Sequence, residues 1–432
     1  MRKKEEMILA IAGIFTALIV IETPFLFICP PLPLLLSWVN GIICSPNWNF
    51  LKRVRYMAVF LLFLLVGIPF INIFWILDEM IFWNYRDVKL DNSVFVVAGF
   101  RTGSTNLHRA LSLDNERFVS PRMIELLLPL LSAQYIIDGI EWIDSKYGTS
   151  MISNLEVKLC ENYFGKELTS RHPMSWYGAE EDDILLAFWL RAGWYAGVFF
   201  PNKDAWMNSG KIDDLSANNQ SRICEFYMRS MQKVLYRRGG GRILLSKSHL
   251  INLMPLIQKN ISNARFVSIV RNPKDTFVSW YSLAQAGLER MANKRLPEDV
   301  AVEAHLEFWD EFTKTEMMFF KNANYHSQAK NTCSNKDSEK THVREKNEQN
   351  NRTIMTFSEY LNNQKGAVEH CYASWGYGDL SSTMAQRLKS AEKEHAVYKK
   401  SRDYTNPTLE DLGLDSSSVT KRYAEYIKTY GL

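Results

Sequence analysis

Gly99-Phe100-Arg101-Thr102-Gly103-Ser104-Thr105 lies between an apolar run, Val94–Ala98, and a stretch of helical spacing, Ser104–Leu113. A loop that turns from strand into helix gathers successive backbone N–H groups at the positive end of the helix dipole, and this favours an anion. Gly99 and Gly103 let the backbone approach closely, Ser104 and Thr105 add hydroxyl donors, and Arg101 adds a fixed positive charge. A Walker loop is excluded, because GxxxxGK[ST] needs a lysine that reaches the β and γ phosphates, and Ser104 stands in its place. Two later segments bring more groups of this kind. Lys247-Ser-His249 follows the apolar run Ile243–Ser246, and Arg271 ends the run Arg265–Val270. Ligands of open α/β sheets bind at the carboxyl ends of strands, where an arginine offers charge-assisted bonds to phosphate.

The segment Gly99–Thr105 followed by Leu107-His-Arg-Ala-Leu111 resembles the 5′-phosphosulfate loop of sulfotransferases, in the arginine-containing version of membrane-bound and bacterial members. Arg265–Ser279, with its Arg-Asn-Pro turn, is similar to the strand and helix that hold the 3′-phosphate in that family. The resemblance implies the donor 3′-phosphoadenosine 5′-phosphosulfate, with Arg271 and Ser279 on its 3′-phosphate and Gly99–Thr105 on its 5′-phosphosulfate. It implies that Lys247 and Arg101 stabilise charge on the sulfuryl group and the leaving phosphate. Two residues match the family's bases for the acceptor hydroxyl: His249, as in soluble members, and Glu125, as in membrane-bound ones. Both stay open. No metal is implied, since fixed cations already neutralise the leaving group.

Ala179-Glu180-Glu181-Asp182-Asp183 resembles an acidic stretch near the acceptor pocket in one branch of the family. Its first reading is a charged opening turn of a helix, complementing the dipole; orienting cleft side chains or binding a basic acceptor is the alternative. The apolar, aromatic Ile184–Phe200 reads as core, with an acceptor pocket or membrane-facing surface as the other option. Thr353–Tyr360 and Tyr404–Leu414 resemble the late strand and the closing loop of the family. The resemblance thus runs from about Val94 to Leu432 and leaves the acceptor unspecified: a hydroxyl on a glycan, a lipid or a protein tyrosine.

Apolar strands alternating with amphipathic stretches predict an α/β fold, a mainly parallel sheet flanked by helices. Residues 90–432 form the expected catalytic domain, interrupted by a polar insertion at 322–352 that cannot bury apolar surface. Residues 1–80 read as a membrane anchor with apolar segments at 7–38 and 56–77, the second without a charge and long enough to span a bilayer. Basic clusters precede both segments, Arg2-Lys3-Lys4 and Lys52-Arg53 with Arg55. A hairpin or re-entrant first segment puts the domain in the lumen, for which the Golgi is the expected compartment; a single crossing keeps it cytosolic. The sequons at Asn219, Asn260 and Asn351 fit the lumenal arrangement.

A net charge of +4 over 432 residues leaves no nucleic-acid footprint. Six cysteines without CxxC spacing leave no disulfide scaffold and no structural zinc. A P-loop kinase or nucleotide hydrolase is the first rival reading, and a non-catalytic membrane scaffold that keeps the fold is the second. The oligomeric state is not legible.

Overall fold

The computed structural model describes residues 26–44, 48–148, 175–192, 211–292, 298–321, 323–325, 351–400 and 405–432, with 158, 165, 168 and 171–173 besides. The strands are β1 (Val94–Val97), β2 (Phe118–Val119), β3 (Ile243–Ser248), β4 (Arg265–Val270), β5 (Asn324–Tyr325) and β6 (Arg352–Thr356). They form one sheet in the order β2-β3-β1-β4-β6-β5, and every pairing is parallel. Val94 of β1 sits between Leu245 of β3 and Arg265 of β4, so β1 and β3 end level and β4 runs two residues further. Every residue of β1 is buried, as expected of a parallel strand covered on both faces.

The helices, in chain order, are α1 (Leu32–Cys44), α2 (Phe50–Ile81), α3 (Ser104–Ser112), α4 (Met123–Leu127), α5 (Leu131–Tyr147), α6 (Ala217–Arg238), α7 (Met254–Asn260), α8 (Pro273–Ala292), α9 (Glu298–Phe319), α10 (Phe357–Asn362), α11 (Gln364–Ser374), α12 (Ser382–Lys400), α13 (Ser416–Arg422) and α14 (Ala424–Tyr430). One core, on the side of Phe95 and Val97, takes in Phe226, Trp309 and Tyr426; the other, on the side of Val94 and Val96, takes in Tyr360, Tyr372 and Trp375. The layers are those read from the sequence, an α/β sheet covered by helices. Strands β2 and β5 were not anticipated, since two residues carry no period, and β5 with Arg352 of β6 places both ends of the 322–352 insertion in the sheet. The late strand stops at Thr356, whose side chain caps α10 with Glu359 in a capping box. Most of the 322–352 insertion and all of Met7–Ile21 lie outside the described residues.

Among the described residues α2 is the one helix long and apolar enough to cross a membrane. Its second half is not a free tether. Ile68, Ile71 and Trp75 enter the same core as the sheet, and the Trp75 ring lies 5.2 Å from that of Phe226. Asp78 accepts from the Lys233 ammonium at 3.0 Å and from the Leu131 and Ser132 amides that open α5. The expected division near residue 80 therefore falls inside a packed unit: Trp75 and Asp78 are buried against α5 and α6.

Candidate functional site

The carboxyl ends of β1, β3, β4 and β6 carry the groups the sequence singled out. After β1, Arg101 sits in the left-handed region (φ 62°) and Gly103 follows at φ 100°. A left-handed non-glycine costs on the order of 1–3 kcal/mol and is held by its surroundings. Here the Arg101 Nε donates to Ser279 Oγ at 2.9 Å and its Nη1 to the Arg171 carbonyl at 3.1 Å. The Arg101 carbonyl accepts from Arg271 Nη1 at 3.1 Å. The two expected phosphate grips, whose contacts join residues 170 and 178 apart in sequence, thus form one contiguous cluster.

The glycines act differently from the expectation. A Cβ on Gly99 would come within 2.6 Å of the Trp309 ring, and one on Gly103 within 2.8 Å of Phe357. Their bare Cα atoms serve close packing of aromatic rings on the loop. Phe357 in turn carries the Arg271 guanidinium 4.4 Å above its ring, so it joins the loop to the end of β4. Thr102 donates to the Gly99 carbonyl at 2.9 Å and braces the turn. Gly103 is the N-cap of α3 and no side chain caps the helix, which leaves its first amides and the Ser104 and Thr105 hydroxyls to line the loop. These donors, with Arg101 and Arg271 beside them, fit an anionic group carrying more than one phosphate.

From β3, Lys247 and His249 point to the same edge, and Glu181 joins them. Glu181 bonds Lys247 Nζ and lies 3.1 Å from His249 Nε2, while Lys247 Nζ is 3.2 Å from that same nitrogen. Burial would raise the Glu181 carboxyl, but the charge of Lys247 and then His249 hold it well below the usual carboxylate range. His249 Nδ1 faces the Ala98 carbonyl at 2.6 Å. A carbonyl only accepts, so Nδ1 carries a proton, and Nε2 lies between the Lys247 ammonium and the Glu181 carboxylate. Burial, then the Lys247 charge, lower the His249 pKa. The Phe100 ring lies 4.0 Å from His249, tilted by 35°, and stacks on Trp280 at 5.0 Å, which connects the loop after β1 to His249.

Glu125 is held elsewhere. Its carboxylate accepts from Arg237 at 2.5 Å, from Arg238 at 2.7 Å, and from the Arg122 amide that opens α4. Burial works to raise its pKa, yet the Arg238 and Arg237 guanidinia and the Arg122 amide lower it. A carboxylate held by two arginines anchors α4 to α6.

Asp182 and Asp183 open a short helix, Asp182–Trp189, as expected, but that turn is buried and not solvated. Glu180, Glu181, Asp182 and Asp183 are all buried. Asp182 accepts from Tyr227 and from Ser246 of β3 at 2.7 Å, and burial raises it to about 6. Burial, then the charges of Glu181 and Asp182, raise Asp183 well above its ordinary value. The signal was present: Ile184–Trp189 is apolar on all sides, so a segment that enters the core whole takes its preceding acids with it.

The profile of the family described as "Sulfotransferase domain" matches residues 91–403. The omega-hydroxy-beta-dihydromenaquinone-9 sulfotransferase Stf3 of Mycobacterium bovis is 25% identical over 202 residues, 46% of this chain and 47% of that protein. Stf3 of Mycobacterium tuberculosis matches to the same extent, so the alignment spans about half the length of these curated relatives. Sulfotransferase STF9 from Mycobacterium avium superposes with a TM-score of 0.63 at 14% identity, covering 92% of this chain and 90% of its own. STF1 from Mycobacterium tuberculosis H37Rv gives 0.58 at 16% identity, covering 91% of both chains. At such identities the superpositions speak for the shared fold alone. The domain match covers the strand ends that carry Arg101, Lys247, His249 and Arg271, and the protein belongs to the sulfotransferase family.

Proposed function

We propose that this membrane-anchored protein transfers a sulfuryl group from 3′-phosphoadenosine 5′-phosphosulfate to a lipid hydroxyl by in-line displacement. The observation that carries the reading is the single cluster of Arg101, Ser279 and Arg271 at the sheet edge, joined through Phe100 to the His249 ring. Ser104, Thr105 and the first amides of α3 hold the 5′ end of the donor, and Arg271 with Ser279 the 3′-phosphate. His249 Nε2 takes the acceptor proton as the acceptor oxygen bonds to sulfur and the sulfur–phosphate oxygen bond breaks. The imidazolium so formed faces Glu181, which stabilises it, and Lys247 and Arg101 neutralise charge on the departing phosphate. His249 is preferred to Glu125 as base because two arginines occupy the Glu125 carboxylate. Glu125 instead keeps α4 in register. A lipid acceptor is favoured over a glycan or a tyrosine by the menaquinone derivative in the name of the relative and by the apolar helix α2 packed on the domain.

The test is transfer of ³⁵S from labelled donor into lipid extract by the full-length protein in detergent or vesicles. Label is expected in the organic phase without added Mg²⁺. His249→Ala is expected to lower turnover by about 10²–10⁴-fold with donor-product binding kept. Full turnover in that variant would remove His249 from the role.

A further inference from the structure

One stretch without a motif of its own joins the donor grip to the acidic run. Arg171-His172-Pro173 precedes Glu181 by about a turn of irregular chain. Its backbone is held by two arginines from the loop after β1 and from α3. Arg101 Nη1 donates to the Arg171 carbonyl at 3.1 Å, and Arg109 Nη2 donates to the Pro173 carbonyl at 2.9 Å. Between them, His172 Nε2 stands 3.8 Å from a Glu180 carboxylate oxygen and 3.9 Å from one of Glu181. The segment therefore spans from the phosphate loop to the carboxylate that faces Lys247.

The Arg171 side chain reaches α8. Its Nη1 donates to Ser282 Oγ at 2.5 Å. Ser282 lies three residues beyond Ser279, which accepts from Arg101 Nε at 2.9 Å. Three residues turn a helix by roughly 300° and rise about 4.5 Å, so the two hydroxyls stand one above the other on one face. Two arginines from distant parts of the chain thus meet neighbouring serines of α8, and the backbone of one accepts from the side chain of the other. Arg171 is half-buried in this position.

Charge says what that face takes. A phosphate monoester carries about 1.5 to 2 negative charges near neutral pH. Arg271 brings one positive charge to the end of β4, and the Asp275 carboxylate, 3.8 Å from its Nε, offsets part of it. Arg101 also faces the loop that takes the 5′ end. A further guanidinium on the Ser279 face completes the balance, and its planar fork matches phosphate oxygens. Ser282 keeps the long side chain on α8 in advance, so less rotamer freedom is lost when the phosphate arrives.

We propose that Arg171 is a donor-binding residue, a second arginine on the 3′-phosphate beside Arg271, with Ser282 holding it in place. The proposal rests on the donor reading above and brings the segment ahead of the acidic run into the donor site. It assigns a definite selectivity: Arg171 reads the 3′-phosphate and not the rest of the nucleotide.

The test is calorimetric titration of the full-length protein with 3′,5′-adenosine bisphosphate and, separately, with adenosine 5′-monophosphate. The parent is expected to prefer the bisphosphate. In Arg171→Ala the bisphosphate affinity is expected to fall by about 10- to 100-fold, the scale of a hydrogen bond to a charged group, while the monophosphate affinity stays close to that of the parent. Arg171→Lys, which keeps the charge and loses the fork, is expected to recover part of the preference. An equal fall for both nucleotides assigns Arg171 to holding the segment over the loop and overturns the proposal. A bisphosphate affinity that the alanine leaves unchanged overturns it too, with the donor reading standing. A parent that binds neither nucleotide removes the donor reading and the role of Arg171 together.

Discussion

His249 is caught between a cation that disfavours its protonation and an anion that favours it. Lys247 and burial lower its pKa, and Glu181 opposes them. On the proposed reading the ring starts neutral, and the carboxylate is placed for the moment after proton transfer. This gives a signed prediction. Glu181→Gln removes the group that raises the His249 pKa, so the acid limb of the kcat–pH profile is expected to move to lower pH while kcat itself falls. Glu181→Asp is expected to restore part of both. A limb that moves to higher pH would contradict the arrangement. The sequence shows Lys247 and His249 because two residues apart on a strand they share one side, and strand ends are where ligands bind. It hides Glu181, because a carboxylate some 66 residues upstream is brought to Lys247 only by the packing of the apolar segment behind it. It also makes Glu125 look available. That position differs from a base only through Arg237 and Arg238, whose approach is a property of the α4–α6 contact and not of local sequence.

At the scale of elements, β1, β3, β4 and β6 were legible because their apolar runs are short and bounded, and the loop after β1 because a strand, two glycines and a helix follow within a dozen residues. What escaped was why the glycines are there. Only the assembled sheet brings Trp309 and Phe357 onto Gly99 and Gly103. The same limit applies to the tie between β4 and the C-terminal helices. Glu316 of α9 accepts from Ser268 of β4 at 2.6 Å and from Tyr426 of α14 at 2.7 Å, fully buried. Burial raises its carboxyl to about 7, against the two hydrogen bonds that lower it. In the unfolded chain it returns to its ordinary value, so the folded state holds the extra proton between the two. Stability from this group is complete below the unfolded pKa and is lost as pH rises through the folded one. Glu316→Gln, neutral throughout, is therefore expected to melt close to the parent near pH 5 and above it near pH 8. The gap is up to about 3 kcal/mol from a shift of that size. A gap that narrows as pH rises would contradict the burial of a protonated Glu316.

The whole molecule depends on the junction between the apolar helix and the domain. Asp78 serves three partners there: the Lys233 ammonium and the two amides that begin α5. Lys233 also lies 3.3 Å over the Trp75 ring, so the contact is dry on both sides. Composition alone suggested a membrane segment followed by a separate domain, since nothing in a hydropathy pattern tells which face of an apolar helix meets protein. Asp78→Ala strands a buried ammonium and is expected to cost about 3–5 kcal/mol, seen as a lower unfolding temperature in detergent, with the unfolding of α2 and the domain remaining one transition. A shift worth less than about 1 kcal/mol, the scale of an exposed pair, would show that α2 is only a tether.

The central claim is that loop and strand end form one grip on a doubly phosphorylated adenosine. Its most direct test is calorimetric titration of the full-length protein with 3′,5′-adenosine bisphosphate, without divalent metal. The account predicts micromolar binding, weakened by about 10- to 100-fold in Arg271→Ala, the loss of a charge-assisted hydrogen bond being worth roughly 1.5–3 kcal/mol, with Arg101→Ala weakened alike. Absence of binding in the parent, or binding that neither substitution alters, would contradict it.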